Sequence, residues 1–266
     1  MSKNDINTMI KISGAELCFA GQEMGIPRLL LPQDPFRGHV VEDITLELIQ
    51  AQKRLLERDL YQIGEGGTNR LSIALSNIIE VLGNPDCSII LQQEQISGEA
   101  VVVYFHKKEG RWISLEMVES DLYKMEIIEE TQMLKSTING LINIKNGTSD
   151  QKITSQIKYK DYFQAQETAR EQGLSECKDY LLRIGQESEI VLSLAEDLSN
   201  PIFSGSVTEW HWQDMEVLKR DGLAFLGGKE RLWLVKENPK DATMIQLTQT
   251  VRSNLASEIS GLIDSL

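Results

Sequence analysis

The side chains best suited to acid–base chemistry are Glu209 and His211, which flank Trp210. Alternate residues of a strand point to the same side, so Glu209 and His211 would share one face as an acid–base pair. Trp210 and Trp212 would share the other face. The favoured interpretation is a tryptophan core face and a polar outer face without a catalytic role. If the tryptophan face pointed outward, it would instead bind a partner.

No other catalytic or ligand-binding motif is complete in the sequence. The histidines, His39, His106 and His211, match no HExxH or HxH pattern, which argues against a catalytic metal. The glycines of segment 64–67 lack the Lys-Ser/Thr ending of a phosphate-binding loop, so this segment predicts a helix–helix connection with Thr68 as the next helix cap. A Gly-x-Ser-x-Gly elbow is also missing. We therefore expect no enzymatic activity, no catalytic residue, no cofactor and no metal.

Cysteine usage and charge favour a cytoplasmic protein. Cys18, Cys87 and Cys177 are odd in number and far apart, which predicts free thiols rather than disulfides or a zinc site. The 266 residues include 27 Lys+Arg and 40 Asp+Glu, a net charge of −13. Such an acidic balance argues against nucleic acid or an anionic membrane as the main partner. The N-terminus has no signal-peptide pattern, and we expect no membrane insertion.

The first half of the chain predicts helices around a small meander. A strand at 9–12 and a helix at 14–24 precede a proline-rich connection at 26–38. Helical periodicity resumes at Val41 and again after Thr68. Three strands follow, and Ser120 is predicted to cap a long helix that reaches Ile142. The predicted strands are 87–92, 100–106 and 112–118.

The second half repeats this plan, which predicts an internal duplication. Helices at 162–172 and 175–198 precede three strands, and Asn238-Pro239 resembles the start of a final long helix. The predicted strands are 203–212, 216–225 and 231–235. The predicted fold is α+β, with two similar, pseudo-two-fold related lobes, each made of helices, a three-stranded antiparallel meander and a long helix. The small size of each strand cluster favours a shared central sheet.

The predicted domain organisation follows from the duplication. Residues 1–145 form the N-terminal half and 157–266 the C-terminal half, with the polar segment 146–156 as linker, in what we expect to be one compact unit. Trp112 and Trp233 each lie near the start of the last predicted strand of a half. We expect both rings to be buried at equivalent places, with Phe or Tyr tolerated there and Ala costly.

Two junctions in the first half resemble the EspG-like cytoplasmic chaperones of type VII secretion systems. The helix segment Leu55-Leu56-Glu57-Arg58-Asp59-Leu60 is similar to that family's Arg-Gly-Leu-like step, with Asp59 in place of the glycine. The run 82–91, LGNPDCSIIL, resembles its junction of helix, proline and strand. The meander, the long helix and the recurrence of the whole unit extend the resemblance to most of the chain.

The resemblance implies a function without catalysis. Proteins of this family bind the helical tip of a PE–PPE substrate pair, keep it soluble and deliver it to the secretion machine. For a relative outside the actinobacteria, the client would be a helical LXG-type or WXG-type protein. Family contacts fall largely in the loop between the first two meander strands, which here comprises Glu94, Gln95, Ile96, Ser97 and Gly98. Two alternatives stay open: an immunity protein that neutralises a toxin, and an enzyme with an unfamiliar site.

Overall fold

The computed structural model describes residues 9–64, 68–142 and 153–266, and this part of the chain has an α+β fold. The first half begins with a strand and three helices, continues through a four-stranded meander and ends in a helix. Its elements are β1 (Met9–Ser13), α1 (Gly14–Glu23), α2 (Val41–Glu57), β2 (Tyr61–Ile63), β3 (Asn69–Leu71), α3 (Ile73–Gly83), β4 (Cys87–Gln95), β5 (Ala100–Lys108), β6 (Arg111–Glu119), β7 (Leu122–Ile128) and α4 (Thr131–Leu141).

The second half repeats the order of strand, three helices, four strands and helix. Its elements are β8 (Thr154–Lys158), α5 (Tyr159–Glu171), α6 (Leu174–Arg183), α7 (Ser188–Ser199), β9 (Phe203–Gln213), β10 (Glu216–Gly227), β11 (Leu232–Asn238), β12 (Asp241–Thr250) and α8 (Arg252–Asp264). The duplication predicted from the sequence is therefore present in the order of elements, with four meander strands in each half instead of the three expected.

Strand pairing recurs in the same way in both halves. Neighbouring strands of the main antiparallel sheet follow the order β1-β7-β6-β5-β4 in the first half and β9-β10-β11-β12-β8 in the second. The opening strand of each half pairs with its fourth meander strand: Ile12 lies opposite Tyr123, and Ile157 lies opposite Ile245. The short strands β2 and β3 form a separate ribbon.

The prediction of three meander strands followed directly by a long helix is wrong in both halves, because a fourth strand stands where each helix was expected to begin. Residues 122–128 and 241–250 form the strands β7 and β12, and the following helices begin only at Thr131 and Arg252. Tyr123 and Met125 in β7, like Ile245 and Leu247 in β12, are buried with the period of two that a strand requires. Each strand is stabilised by pairing with β1 or β8, which lies far away in sequence, so local periodicity alone did not reveal it.

Two further boundaries differ from the prediction. Thr68 does not cap a helix, because β2 and β3 flank the glycine segment and the α3 cap is Ser72, whose Oγ accepts from the Leu75 N–H at 3.3 Å. Residues 65–67 lie outside the described part of the chain. The helix predicted over 175–198 is two helices, α6 and α7, separated at Gly185, whose φ of +85° is a left-handed conformation that favours glycine.

The described residues cluster into two compact units. Among the described residues, unit 1 comprises 9–64, 68–89, 103–134 and 210–220, and unit 2 comprises 90–102, 135–142, 153–209 and 221–266. Each of the strands β4, β5, β9 and β10 therefore has residues in both units, with the β4–β5 turn in unit 2 and the β9–β10 turn in unit 1. Of the predicted linker at 146–156, residues 146–152 lie outside the described residues and 154–156 belong to β8.

The first helix of unit 1 is held by a buried carboxylate. Ser13 and Glu16 form a capping box, in which the Ser13 Oγ accepts from the Glu16 N–H at 3.2 Å and the Glu16 carboxylate accepts from the Ser13 N–H at 2.7 Å. Arg54 and Arg58 of the α2 region lie 3.6 and 3.3 Å from the same carboxylate, which is 4% exposed. Glu16 therefore ties the start of α1 to the end of α2.

Replacing Glu16 with alanine should lower the free energy of unfolding by about 1–3 kcal/mol, because it removes hydrogen bonds made to a charged, buried group. Chemical denaturation followed by circular dichroism measures the change. Glu57→Ala is the control, because Glu57 lies at an exposed position and forms a weak i,i+4 pair with Lys53. Equal stability of the two variants would contradict the anchoring role of Glu16.

Both predicted tryptophans are fully buried, as expected, with relative exposures of 0%. The Trp233 indole N–H donates to Asp197 Oδ2 at 2.8 Å. Asp197 also accepts from Arg231 at 2.7 and 3.2 Å, and Arg231 contacts Glu196 at 2.6 Å. The core of unit 2 around Trp233 therefore contains a charged network, which links α7 to the start of β11.

Candidate partner-binding surface

A serine–histidine contact in unit 1 has the spacing of a nucleophile and a base. Ser88 Oγ lies 2.7 Å from His106 Nδ1, and the Trp212 indole N–H donates to the same oxygen at 2.7 Å. Ser88 and His106 are only 1% and 3% exposed, so a substrate cannot reach them. Burial lowers the pKa of His106 to about 4 and keeps the ring neutral at physiological pH. The arrangement is a buried structural network.

Glu209 and the tryptophans beside it do not have the burial that the favoured interpretation predicts. Glu209 is 1% exposed and accepts a hydrogen bond from Ser265 Oγ at 3.3 Å, whereas Trp210 and Trp212 are only half-buried, with ring centroids 5.4 Å apart. The prediction of a tryptophan core face and a polar outer face is therefore wrong. Glu209 is covered because the C-terminal end of the α8 region packs on it.

The cysteines are free and poorly suited to nucleophilic chemistry. Cys87 and Cys177 are buried, and Cys18 is partly buried. Burial raises the pKa of both Cys18 and Cys177 to about 11, so these thiols stay protonated. Within residues 9–64, 68–142 and 153–266, no three His, Cys, Asp or Glu side chains are grouped to hold a metal ion. No helix of those residues is long and apolar enough to cross a membrane.

The predicted contact loop is an exposed, hydrogen-bonded hairpin tip in unit 2. We call Glu94–Gly98 the β4–β5 tip. The Gln95 N–H donates to the Glu99 carbonyl at 2.9 Å, and the Gly98 N–H donates to the Gln95 carbonyl at 2.9 Å. Gly98 has a φ of +82°, which the tight turn requires and which glycine adopts without strain. Hydrogen bonding fixes the backbone and leaves the side chains free to make contacts.

Ile96 is the apolar residue that this tip presents to solvent. Its side chain is 74% exposed, and its N–H donates to the Ile202 carbonyl at 3.0 Å. The Ile202 N–H in turn donates to the Gly227 carbonyl at 2.8 Å. The tip is therefore anchored to the segment between α7 and β9, and Ile96 is held in place rather than carried on a free loop.

An open groove lies beside that anchoring segment in the same unit. Its volume is about 860 Å³. Tyr159 and Phe163 of α5 line it, and they are 51% and 48% exposed, with ring centroids 4.6 Å apart. The other lining residues come from the end of α7, the start of β9, the segment between them and the end of β10, and they include Leu198, Pro201, Ser204 and Leu226. We call this feature the aromatic groove.

The aromatic groove combines exposed aromatic rings with polar and charged side chains. Tyr159, Phe163, Gln166 and Arg170 follow each other at helical spacing, so one face of α5 supplies a stripe with rings at one end and a cation at the other. Half-exposed aromatic rings bury much area at little entropic cost when a partner covers them. Lys160 and Glu167 add charges at the rim.

The β4–β5 tip and the aromatic groove share one stretch of backbone. Ile202, which binds the Ile96 N–H, lies directly after Pro201, a wall of the groove. The sequence pointed to the tip through the family resemblance, but it gave no indication of the groove. The i,i+4 spacing of Tyr159 and Phe163 was the available signal, and it is equally typical of a core-facing helix.

Comparisons with known proteins bear on the fold. No protein-family model matches the chain, and no curated protein is significantly similar to it. Among solved structures, the chain is similar to the structure of the Mycobacterium tuberculosis type VII secretion system chaperone EspG5 in complex with the PE25–PPE41 dimer. The sequences are 12% identical, 97% of each chain is covered, and the TM-score is 0.69. The chain therefore has the EspG-like chaperone fold that its sequence resemblance predicted.

Proposed function

We propose that the protein is a cytoplasmic chaperone or adaptor for helical substrates of a type VII secretion system. It would bind a client without altering it chemically, keep it soluble and target it for export. The observation that carries the proposal is the exposed pair of features in unit 2, Ile96 on an anchored hairpin tip and the half-exposed rings of the aromatic groove. The similarity of fold to EspG5 supports it, because that chaperone was solved with a PE25–PPE41 dimer.

In the proposed mechanism, the client is the apolar tip of a helical hairpin. Ile96, Tyr159 and Phe163 cover its apolar side chains, which would otherwise promote aggregation. Lys160, Glu167 and Arg170 surround the rings and orient the client through polar contacts. The net charge of −13 helps to keep the complex soluble. Suitable clients are PE–PPE pairs and, outside the actinobacteria, LXG-type or WXG-type proteins.

Substitution of Ile96 or Phe163 with aspartate should weaken client binding at least tenfold, because each variant places a charge where an apolar contact is buried. Isothermal titration calorimetry measures the affinity, with purified PE–PPE, LXG-type and WXG-type proteins from the same genome as separate ligands. Ile73→Asp is the matched control. Ile73 is 82% exposed and lies at the first position of α3, where an acidic residue suits the helix.

The binding results test the proposed contact surface and the proposed chaperone function separately. Unchanged affinity of both folded variants for a client that binds the wild type would remove this surface from the interface. Failure of the wild type to bind any of the three client classes would contradict the chaperone function. Inhibition of a toxin encoded nearby, without client binding, would favour the immunity alternative instead.

A further inference from the structure

The first part of strand β10 is an unprotected sheet edge. Glu216–Asp221 are all exposed, whereas Leu223, Phe225, Leu226 and Gly227 further along the same strand are buried. On one side β10 neighbours β9, and on the other β11 pairs with it only from Leu223 to Gly227. Within the described residues, no strand pairs with Glu216–Asp221 on that side, so alternate residues of this segment direct their backbone N–H and C=O groups to a free edge. Such an edge can pair with another strand.

Two opposite charges on this edge have no ion-pair partner within the described chain. Glu216 and Arg220 make no salt bridge there, although the Arg220 guanidinium lies 5.8 Å from the centre of the Trp210 ring. They are four residues apart, so their side chains share one face of the strand with Leu218 between them. At about 3.3 Å per residue they are about 13 Å apart along the strand and cannot pair with each other.

The same edge of a second copy of the chain can supply ion-pair partners for both Glu216 and Arg220. When two β10 edges run antiparallel with Leu218 opposite Leu218, each Glu216 lies opposite the Arg220 of the other copy. Directly opposite residues have Cβ atoms about 5 Å apart, close enough for an ion pair. The same register places Val217 opposite Lys219. A shift that moves Lys219 opposite Lys219 loses both ion pairs, so the charges select one register.

We propose that Glu216–Asp221 of β10 forms the interface of a two-fold symmetric dimer of this chain, by antiparallel edge-to-edge pairing centred on Leu218. The proposal does not depend on the chaperone function. Leu218, which is 70% exposed, forms the apolar centre, and two Glu216–Arg220 pairs flank it. Lys219 and the two flanking charges oppose pairing with unrelated strands, which restricts the edge to its own copy. The interface is small, so the dimer is a transient one.

The experiment uses sedimentation velocity of the full chain over a range of protein concentrations. Glu216→Arg and Arg220→Glu should each weaken dimerisation at least about tenfold, because each places two like-charged pairs in the interface. An equimolar mixture of the two variants should dimerise again, since every pair of facing side chains then joins one arginine to one glutamate. The double variant E216R/R220E should also dimerise. Glu230→Arg, at an exposed turn position, makes the same change in net charge as Glu216→Arg and should behave as wild type.

Recovery in the mixture is the decisive measurement, because general loss of stability in one variant cannot produce it. Circular dichroism establishes that each variant is folded. A wild type that stays monomeric at all concentrations would overturn the proposal. So would dimerisation that both single charge reversals leave unchanged, or a mixture that stays monomeric like its two components. Binding of a different strand-forming protein by a monomeric wild type would also overturn it.

Discussion

Replacing Trp233 with alanine is expected to lower the free energy of unfolding by about 3–5 kcal/mol, the usual cost of removing a large buried ring. The ring is fully buried, and its indole N–H donates to Asp197, which is itself 3% exposed. The substitution would leave a cavity in the core of unit 2. It would also leave a buried carboxylate with one hydrogen-bond donor fewer, which adds to the cost.

A comparison with phenylalanine separates these two contributions. The Trp112 indole N–H is buried without a hydrogen-bond partner among the described residues, so Trp112→Phe removes an unsatisfied donor. Trp233→Phe instead deprives Asp197 of a bond and should cost about 1–3 kcal/mol more than Trp112→Phe. Urea denaturation followed by circular dichroism measures both. Equal losses for the two phenylalanine variants would contradict a stabilising role for the contact between Trp233 and Asp197.

Stability should fall by up to about 3 kcal/mol as the pH decreases from about 6.5 to about 4, because of His106 alone. Its pKa is about 4 in the folded protein, and the unfolded chain has the ordinary value near 6.5. Between these values the unfolded state binds more protons than the folded state, so acid favours unfolding. The cause is desolvation: protonation would place a charge in a buried site.

Hydrogen bonding at Ser88 opposes protonation of His106 as well. The Ser88 oxygen accepts from the Trp212 indole, which leaves its O–H to donate to His106 Nδ1. Protonation of that nitrogen would remove its acceptor and disrupt the network. Denaturation of wild type and His106→Gln across this pH range measures the effect, and the variant should show the smaller loss with acid. His39→Gln, at an exposed position, is the control and should follow the wild type.

Local sequence patterns predicted the elements whose stability is mainly local. The helix at Gly14–Glu23 has its capping box in the sequence, and α2 begins at Val41 as its periodicity indicated. The hairpin strands β4, β5 and β6 are separated by short turns that favour glycine, so their order along the sheet also followed. Trp112 and Trp233 were predicted correctly as core residues because large rings in apolar strands are rarely left in solvent.

Features that depend on distant partners were not predictable in this way. The sequence predicts helix at β7 and β12 because Met125 and Ile128, and Met244 and Ile245, also fit a helical face. Pairing with β1 and β8 makes these segments strands. Burial of Glu209 depends on a contact with Ser265, 56 residues away. The aromatic groove likewise needs α5 and the α7–β9 segment together, so no window of sequence contains it.

The exchange of hairpin tips between the two compact units has a consequence for synthesis on the ribosome. Unit 1 needs Trp210–Arg220, which is translated long after Leu134, the end of its preceding segment. At usual elongation rates this interval is on the order of ten seconds. During that time β4 lacks its neighbour β9, and Ser88 lacks the indole of Trp212. Unit 1 therefore stays incomplete for this interval, without the strand that neighbours β4 in the finished sheet.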